Sequence, residues 1–482
     1  MIKRNNKGLT VKKNEDFSKW FSEIIDKANI VDLRLDMKGF MVISPWGAAI
    51  IEKMYRLFSD ELELKGHKQT FMPSVIPEAN LKKESSHVKG FTPEVFWLKE
   101  INKEKLALRP TSETLYTPMF KLWARSYRDL PLKLYQRGSV FRLDTKATRP
   151  LIRTREILWI EAHDAFATKA QAEAQVQEDI ETTDKILTNK MGIPFLPMKR
   201  PEWDKFAGAE YTVGSDCLMP DGKLIQQPST HLMGQKFSKA FDAKFTNEKE
   251  QEEYLWTTAY GPAMSRILVS VISTHGDDQG LILPSCLTPI DTAIVPIFKK
   301  DNKNKVIAKA KEIEKELTKI GLKTQIDLTD KSPGEKFNIW ELKGVPTRIE
   351  IGEKELDKKQ ATVFIRDIKE KQTVKLDKLD KIKSLIKEYD KRLLEKASKT
   401  FDGKIVECSS EKEIKKVLDE GKIAKVNFCS TDNKGLTCAN KIEKTFNAEV
   451  RGTMANKKEK AKGNCPICNE KATKVVYIGR SY

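Results

Sequence analysis

The stretch Val140–Phe166, "VFRLDTKATRPLIRTREILWIEAHDAF", holds Arg142, Arg149, Arg153 and Arg155 together with Asp144, Glu156, Glu161 and Asp164. Between the charges lie "VF", "LI" and "ILWI", runs that read as buried strand. Two adjacent antiparallel strands, "SVFRL" and "ILWIEAHDAF", joined by the polar loop "DTKATRP", account for the pattern. Arg142 and Arg153 then project from the two strands toward one pocket. Arginine is a permanent cation whose planar fork fits phosphate and carboxylate. Two arginines beside Glu161 and His163 suit a site that holds an anionic phosphate and a zwitterion together. Alternation along a strand places Trp159, Glu161 and His163 on one face. A salt-bridged strand pair with a core Trp–His pair is the plainer reading of these residues.

Outward from that stretch, other segments carry polar groups in strand and loop positions. "LRPTSET" places Thr111 and Glu113 in a loop after a strand. "QQPSTHLMGQKFSKAF" carries Gln226, Ser229, Thr230 and His231, and "YGPAMSRILV" sets Arg266 at the start of an apolar helical run. Pro45 to Gly66 reads as a helix, with Ile50, Ile51, Met54, Leu57, Phe58 and Leu62 on one face. "HKQTFMP" follows as a strand ended by Pro73.

Near residue 290 the pattern changes. "DTAIVPIF", "LKTQID", "VPTRIEI" and "ATVFIRD" read as strands, and the helices between them include "PGEKFNIWELKG" and a face of Val306, Ala310, Ile313 and Leu317. Alternating strands and helices imply a small α/β domain with a mixed sheet. Ile382, Leu385, Ile386, Tyr389 and Leu393 then make an amphipathic helix. Beyond about residue 400, lysine-rich segments surround Cys429, Cys438 and the pair Cys465–Cys468 of "CPIC". Two thiolate pairs far apart in sequence suit a tetrahedral zinc site, with free thiols or a redox pair as the alternatives. Cys408 lies outside the pattern.

The chain has 482 residues, 39% hydrophobic and 32% charged, with a formal net charge of +18. That length suits two to four domains rather than one. The surplus of cations fits a polyanionic partner, most simply nucleic acid, or a lysine-rich solvated surface. No apolar run reaches the ~20 residues of a membrane span. The opening residues have neither an apolar core nor a cleavage site, so no secretory leader is expected. Seven cysteines, an odd number, then predict a reducing cytoplasm.

Taken in order, these segments resemble a class II aminoacyl-tRNA synthetase, and within that class the prolyl-tRNA synthetases of archaeal and eukaryotic type. The helix ending at Gly66 and the strand ending at Pro73 look like the first motif, at the dimer interface. "FRLDTKATRPLIRTRE" looks like the second motif, and "GPAMSRILV" through "GLILP" like the third, with its arginine at Arg266. The aromatic ending "VVYIGRSY" is similar to the family's C-terminus. Three departures stand out. Asp144 replaces the usual glutamate of the second motif, "GPAMSR" is one residue longer with Pro262, and Ala162 makes "EAH" of the usual "EGH".

The resemblance implies an α+β catalytic domain on an antiparallel sheet (1–287), an α/β mixed-sheet anticodon-binding domain (288–395) and a small α/β zinc-binding C-terminal domain (396–482). It implies a cytoplasmic, homodimeric enzyme that activates L-proline with ATP and Mg²⁺ and transfers it to tRNA(Pro). Arg142 would serve the α-phosphate and the proline carboxylate, with Asp144 on the adenine side. Arg153, with its neighbour Thr154, and Arg266 would hold the outer phosphates. Thr111 and Glu113 would take the proline ammonium, and Trp159, Glu161 and His163 would line the ring pocket. Gln226, Ser229 and Thr230 would touch the nucleotide, and His231 would close the pocket. Trp340, Arg348 and Glu350 would read the anticodon, Trp340 having core packing as its other reading. Cys429, Cys438, Cys465 and Cys468 would hold structural zinc. From about Phe166 to Tyr260 there are fewer than a hundred residues, too few for an inserted editing domain. The alternatives are a threonyl, glycyl or histidyl synthetase, or a non-catalytic tRNA-binding paralogue.

Overall fold

The computed structural model describes residues 8–87, 94–100, 104–143 and 147–482. Strand pairing of the opening stretch organises everything else. β2 (Leu132–Phe141) and β3 (Glu156–Phe166), introduced after the short β1 (Lys68–Gln69), run antiparallel in unbroken register from Leu132↔Ala165 to Phe141↔Glu156. β3 continues through β7 (Trp256–Gly261), β6 (Lys223–Gly234) and β5 (Tyr211–Leu218) to β4 (Leu196–Lys199), all antiparallel. The interval after Phe166 is thus filled largely by strands of this same sheet and by helix Lys169–Asp184.

Alternation decides the two faces. Ile160 and Ala162 of β3 lie in the main core with Ile50, Met54 and Phe58 of α1 (Pro45–Leu64) and with Ile267, Leu268 and Val271 of α2 (Met264–His275). The opposite face presents Glu161 and His163. α1 starts at Pro45, where a missing N–H costs nothing, and stops before Gly66. The strand expected over "HKQTFMP" is reduced to Lys68–Gln69, which pairs parallel with Leu134 and Tyr135.

The loop of the opening stretch differs from its expected form. β2 ends at Phe141, one residue before Arg142, and "LI" is not strand. Instead Arg149 and Arg153 form an isolated bridge around a tight turn, with Leu151 at φ 64°. Arg153 therefore sits on an exposed turn rather than on β3.

The middle unit is a five-stranded mixed sheet. β8 (Thr292–Pro296) lies parallel between β9 (Thr324–Ile326) and β10 (Thr347–Ile351), and β11 (Gln360–Ile365) and β12 (Glu370–Lys375) extend it antiparallel. β12 escaped the sequence reading because "EKQTVK" is an edge strand with one buried side chain, Val374. Helix α3 (Lys381–Asp402) then runs unbroken across the boundary expected at 395/396.

The C-terminal unit is not a separate layer. β13 (Ile405–Cys408), β14 (Ile423–Phe428), β15 (Glu449–Met454) and β16 (Lys474–Ser481) join the catalytic strands through Thr453↔Lys199 and Met454↔Met198. Among the described residues the result is one 11-stranded sheet, β13-β14-β16-β15-β4-β5-β6-β7-β3-β2-β1. β16 also reaches back beside β6, at Lys223↔Arg480 and Leu224↔Ser481. No helix among the described residues is long and apolar enough to cross a membrane.

Candidate active site

The face of β3 turned away from the main core carries the acidic half of the site, with Glu161 and His163 both buried. Glu161 and His163 point the same way, as strand alternation requires, with the ring nitrogen Nε2 of His163 3.7 Å from Glu161 Oε2. Glu161 accepts from Gln136 Nε2 at 3.1 Å, and that amide also donates to Ser112 Oγ at 2.9 Å. Buried Arg109 donates to the Gln136 oxygen at 3.0 Å and to the carbonyls of Met72, Pro73 and Ser139. Arg109, Ser112 and Gln136 were missed in the sequence. Only Arg109 and Ser112, flanking Thr111 in "LRPTSET", carried a signal.

Glu113 is not in a loop but is the first residue of helix Glu113–Trp123, and Thr111 Oγ donates to its Oε2 at 2.5 Å. Burial, reinforced by Glu161, raises the Glu113 carboxyl. Burial acts on Glu161 too, but His163, Ser112 and Arg109 outweigh it and lower its pKa. His163 is raised: burial opposes its charge, and Glu161, Glu113 and Asp164 prevail. Tyr116 stacks on the imidazole at 4.5 Å between centroids. Of the two buried carboxyls only Glu113 is raised, and an ammonium group beside it would favour its charged form.

The cationic half lies at the other end of β3. The Arg142 guanidinium sits 5.9 Å from the Trp159 ring centroid, and its backbone N–H donates to Arg155 O at 2.8 Å. Trp159 lies so close to β7 that a Cβ on Gly261 would meet its ring at 2.5 Å, which requires glycine there. The extra residue of "GPAMSR" is absorbed by pairing. Ile160 N–H donates to Pro262 O at 3.0 Å, and Trp159 bridges to Ala263, so α2 starts at Met264 with Arg266 in its first turn. Burial first, then the neighbouring charges of Arg142 and Arg153, push Arg266 down to about 10. Among the described residues none of these three arginines has a carboxylate in ion-pair range. Like charges gathered without counter-ions form a ready-made anion site. Thr154 is buried beside Arg153, and Asp144 lies outside the described residues.

β6 supplies the third wall. Ser229 Oγ and Thr212 Oγ1 bracket His231 at 3.0 and 2.9 Å. Burial, then the charges of His163, Arg142 and Arg200, push His231 down to about 3, so it is neutral at ordinary pH. Gln226 accepts from Arg200 at 3.0 Å. Thr230 is a correction: it lies on the other face of β6, buried, and donates to Asp179 Oδ2 at 2.6 Å. Ser229 and His231 face the site because Thr230, between them, cannot.

Of the expected anticodon readers, Trp340 takes its core-packing reading, and Arg348 and Glu350 are corrected. Trp340 is buried and donates to Asp327 Oδ2 at 2.9 Å. Arg348 is buried between the rings of Phe337 and Phe364 and pairs with Glu341 and Glu350 at 2.6 and 2.9 Å. These side chains make most of their ion pairs and hydrogen bonds inside the middle unit, although Arg348 Nε, buried, has no partner.

At the far end of the molecule, Cys429, Cys438, Cys465 and Cys468 converge. Their sulfurs lie within 4.8 Å of one another, and only Cys468 is exposed. Four thiolates grouped this tightly are a donor set that suits tetrahedral zinc. Cys408 is not among them.

Comparison with known proteins now decides the family. Residues 96–275 match the tRNA synthetase class II core domain (G, H, P, S and T), 291–385 the anticodon binding domain, and 411–482 the prolyl-tRNA synthetase C-terminal domain. The chain is 45% identical to the proline–tRNA ligase of Thermofilum pendens over 99% of this chain and 100% of that one. The chain belongs to the prolyl-tRNA synthetases. A second relative in the family, from Methanopyrus kandleri, is 41% identical over 97% of this chain and 96% of its own. Among solved prolyl-tRNA synthetases, the Giardia lamblia enzyme in complex with prolyl-adenylate superposes with a TM-score of 0.95 at 36% identity, covering 98% of this chain and 100% of that one. The Cryptosporidium parvum enzyme complexed with L-proline and AMP gives 0.90 at 30%, covering 98% and 97%.

Proposed function

We propose that the chain works as a proline–tRNA ligase through a single pocket with two opposed ends, one cationic and one acidic. The observation that carries this reading is the gathering of Arg142, Arg153 and Arg266 with no carboxylate in ion-pair range among the described residues, while Glu113 and Glu161 lie buried toward the other end of β3. ATP enters at the arginines and proline lies along β3, its ammonium toward Thr111 and Glu113 and its ring among Trp159, Glu161 and His163. Arg142 stands at the meeting point, where the carboxylate meets the α-phosphorus. Arg153 and Arg266 hold the outer phosphates, Gln226 and Ser229 touch the nucleotide, and neutral His231 closes the wall.

The chemistry needs no nucleophilic side chain. The proline carboxylate attacks the α-phosphorus in line and pyrophosphate leaves. Charge builds on phosphoryl oxygens, so catalysis is positioning plus fixed cations, with Mg²⁺ accompanying the nucleotide. The terminal hydroxyl of tRNA(Pro) then attacks the adenylate carbonyl and AMP departs. ATP–pyrophosphate exchange with each amino acid in turn tests the reading. Exchange is expected with proline; exchange driven by threonine, glycine or histidine instead would replace it.

Three further features belong to this reading. The four-cysteine cluster holds structural zinc, which its donor set and spacing favour. The chain works as a homodimer in the cytoplasm: Leu64 and Phe71, 75% and 84% exposed at the end of α1 and just beyond it, offer apolar surface that a second copy would cover. The C-terminal boundary lies past Asp402, where α3 ends, rather than at 395.

A further inference from the structure

The C-terminal unit sends one side chain into the catalytic unit. The register of β15 on β16 shifts between Val450 and Gly452, leaving Arg451 as the extra residue of a β-bulge. A bulge bends its strand and re-aims a side chain. Arg451 is thereby buried against β5, its Nε donating to Asp216 Oδ2 at 2.9 Å and its Nη2 to Oδ1 at 3.1 Å.

From the opposite side Arg200 holds the same carboxylate, Nη1 to Oδ2 at 2.8 Å and Nη2 to Oδ1 at 2.6 Å. Burial disfavours the Asp216 charge, but the two guanidiniums outweigh it and keep the carboxyl well below the usual range. Arg200 Nη2 also donates to the Gln226 carboxamide oxygen at 3.0 Å. Gly214 leaves room for this fork, since a Cβ there would lie 2.4 Å from Arg200 Nη2.

The chain of contacts has a chemical consequence. A permanent donor occupies the Gln226 oxygen, so the amide turns its NH₂ toward the cleft as a donor. Arg200 stays in that place because Asp216 and the backbone carbonyl of Arg451, 3.0 Å from Nη1, hold it, and Asp216 is held in turn by the Arg451 side chain. Without Arg451 the carboxylate keeps one guanidinium and loses the second wall of its clamp, and both Arg200 and the Gln226 amide gain freedom.

We propose that Arg451 is a positioning residue for the ATP site, acting from the C-terminal unit through Asp216 and Arg200 on Gln226. This rests on the reading of Gln226 as a nucleotide contact. It makes nucleotide affinity, and not proline affinity, depend on how the C-terminal unit is seated.

The test is ATP–pyrophosphate exchange with ATP and proline varied separately. Arg451→Met is expected to raise KM for ATP about three- to tenfold, the scale of one ordinary hydrogen bond, while KM for proline and kcat stay within about twofold. Arg451→Lys keeps the charge without the fork, falls between the two, and carries the test if the methionine variant does not fold. Arg480→Met is the control, because Arg480 binds Leu418 O, Asp419 and Phe446 O inside the C-terminal unit; it leaves KM for ATP unchanged. In a Gln226→Leu background, Arg451→Met adds nothing further. An unchanged KM for ATP in both Arg451 variants, an equal rise in Arg480→Met, or full additivity with Gln226→Leu overturns the proposal. An unchanged KM for ATP in Gln226→Leu alone overturns instead the assignment of Gln226 to the nucleotide.

Discussion

Arg142 lies 5.9 Å from the ring centroid of Trp159, a cation held against an aromatic face that is itself held against Gly261. The arrangement aims the guanidinium into the pocket before any substrate arrives. Preorganised cations of this kind stabilise charge as it develops, without reorganisation at the moment of reaction.

Arg142→Ala removes charge-assisted hydrogen bonds worth about 1.5–3 kcal/mol each, so proline-dependent exchange should fall about tenfold or more per contact. Arg142→Lys should also be poor, because an ammonium cannot fork onto two oxygens. Steady-state exchange kinetics check both. Near-normal exchange in the alanine variant removes Arg142 from the chemistry.

Glu113→Gln should act on the other substrate. It deletes the buried carboxyl that faces Glu161 and His163, so KM for proline should rise about tenfold or more, while KM for ATP hardly moves. Glu161→Gln should do the same, because it removes the charge while its amide oxygen can still accept from Gln136. A rise in KM for ATP matching that for proline would mean that the two ends of the pocket are not separate.

Metal analysis of the purified chain should give about one zinc per molecule. Cys468→Ser should lose it and loosen the helix Leu436–Phe446 that carries Cys438, leaving exchange largely intact. Cys408→Ser should keep its zinc. Metal-free native protein would exclude the site.

Stability should fall in mild acid, partly through His275. Burial, then the charges of Lys13 and Lys396, lower its pKa from 6.5 to about 4, against a hydrogen bond to Met191 O. Between those values the unfolded chain binds the proton and the folded chain does not. The contribution of this group is therefore complete above pH 6.5 and is lost, at about 1.4 kcal/mol per unit, as pH drops toward 4. Urea unfolding across that range should show a shallower decline for His275→Gln than for the parent. Equal slopes would mean that His275 charges freely in the fold.

Much of this was legible in the sequence, and for local reasons. Strand alternation put Trp159, Glu161 and His163 on one face, helical periodicity drew α1 and α2, and the sequence marked Arg142, Arg153 and Arg266, which the fold brings near one another. The cysteine spacing marked four sulfurs that do converge. Each of these signals depends on a few neighbouring residues and a fixed period.

Only the tertiary structure decided the rest, because it turned on which partner each polar group finds. Thr230 and Ser229 look alike in sequence, yet a side chain on one face of β6 meets Asp179 and on the other meets His231. Arg348 and Glu350 read as free recognition groups until folding joins them to each other, to Glu341 and to Lys371 in a buried cluster. The sheet shared by the catalytic and C-terminal units depends on Thr453 meeting Lys199, and Arg451 reaches Asp216 only because a bulge turns it there. A buried charge is costly without a partner, and which partner it finds is set by the fold, across separations from 2 residues for Arg348 and Glu350 to 235 for Arg451 and Asp216, so it leaves no period in the sequence.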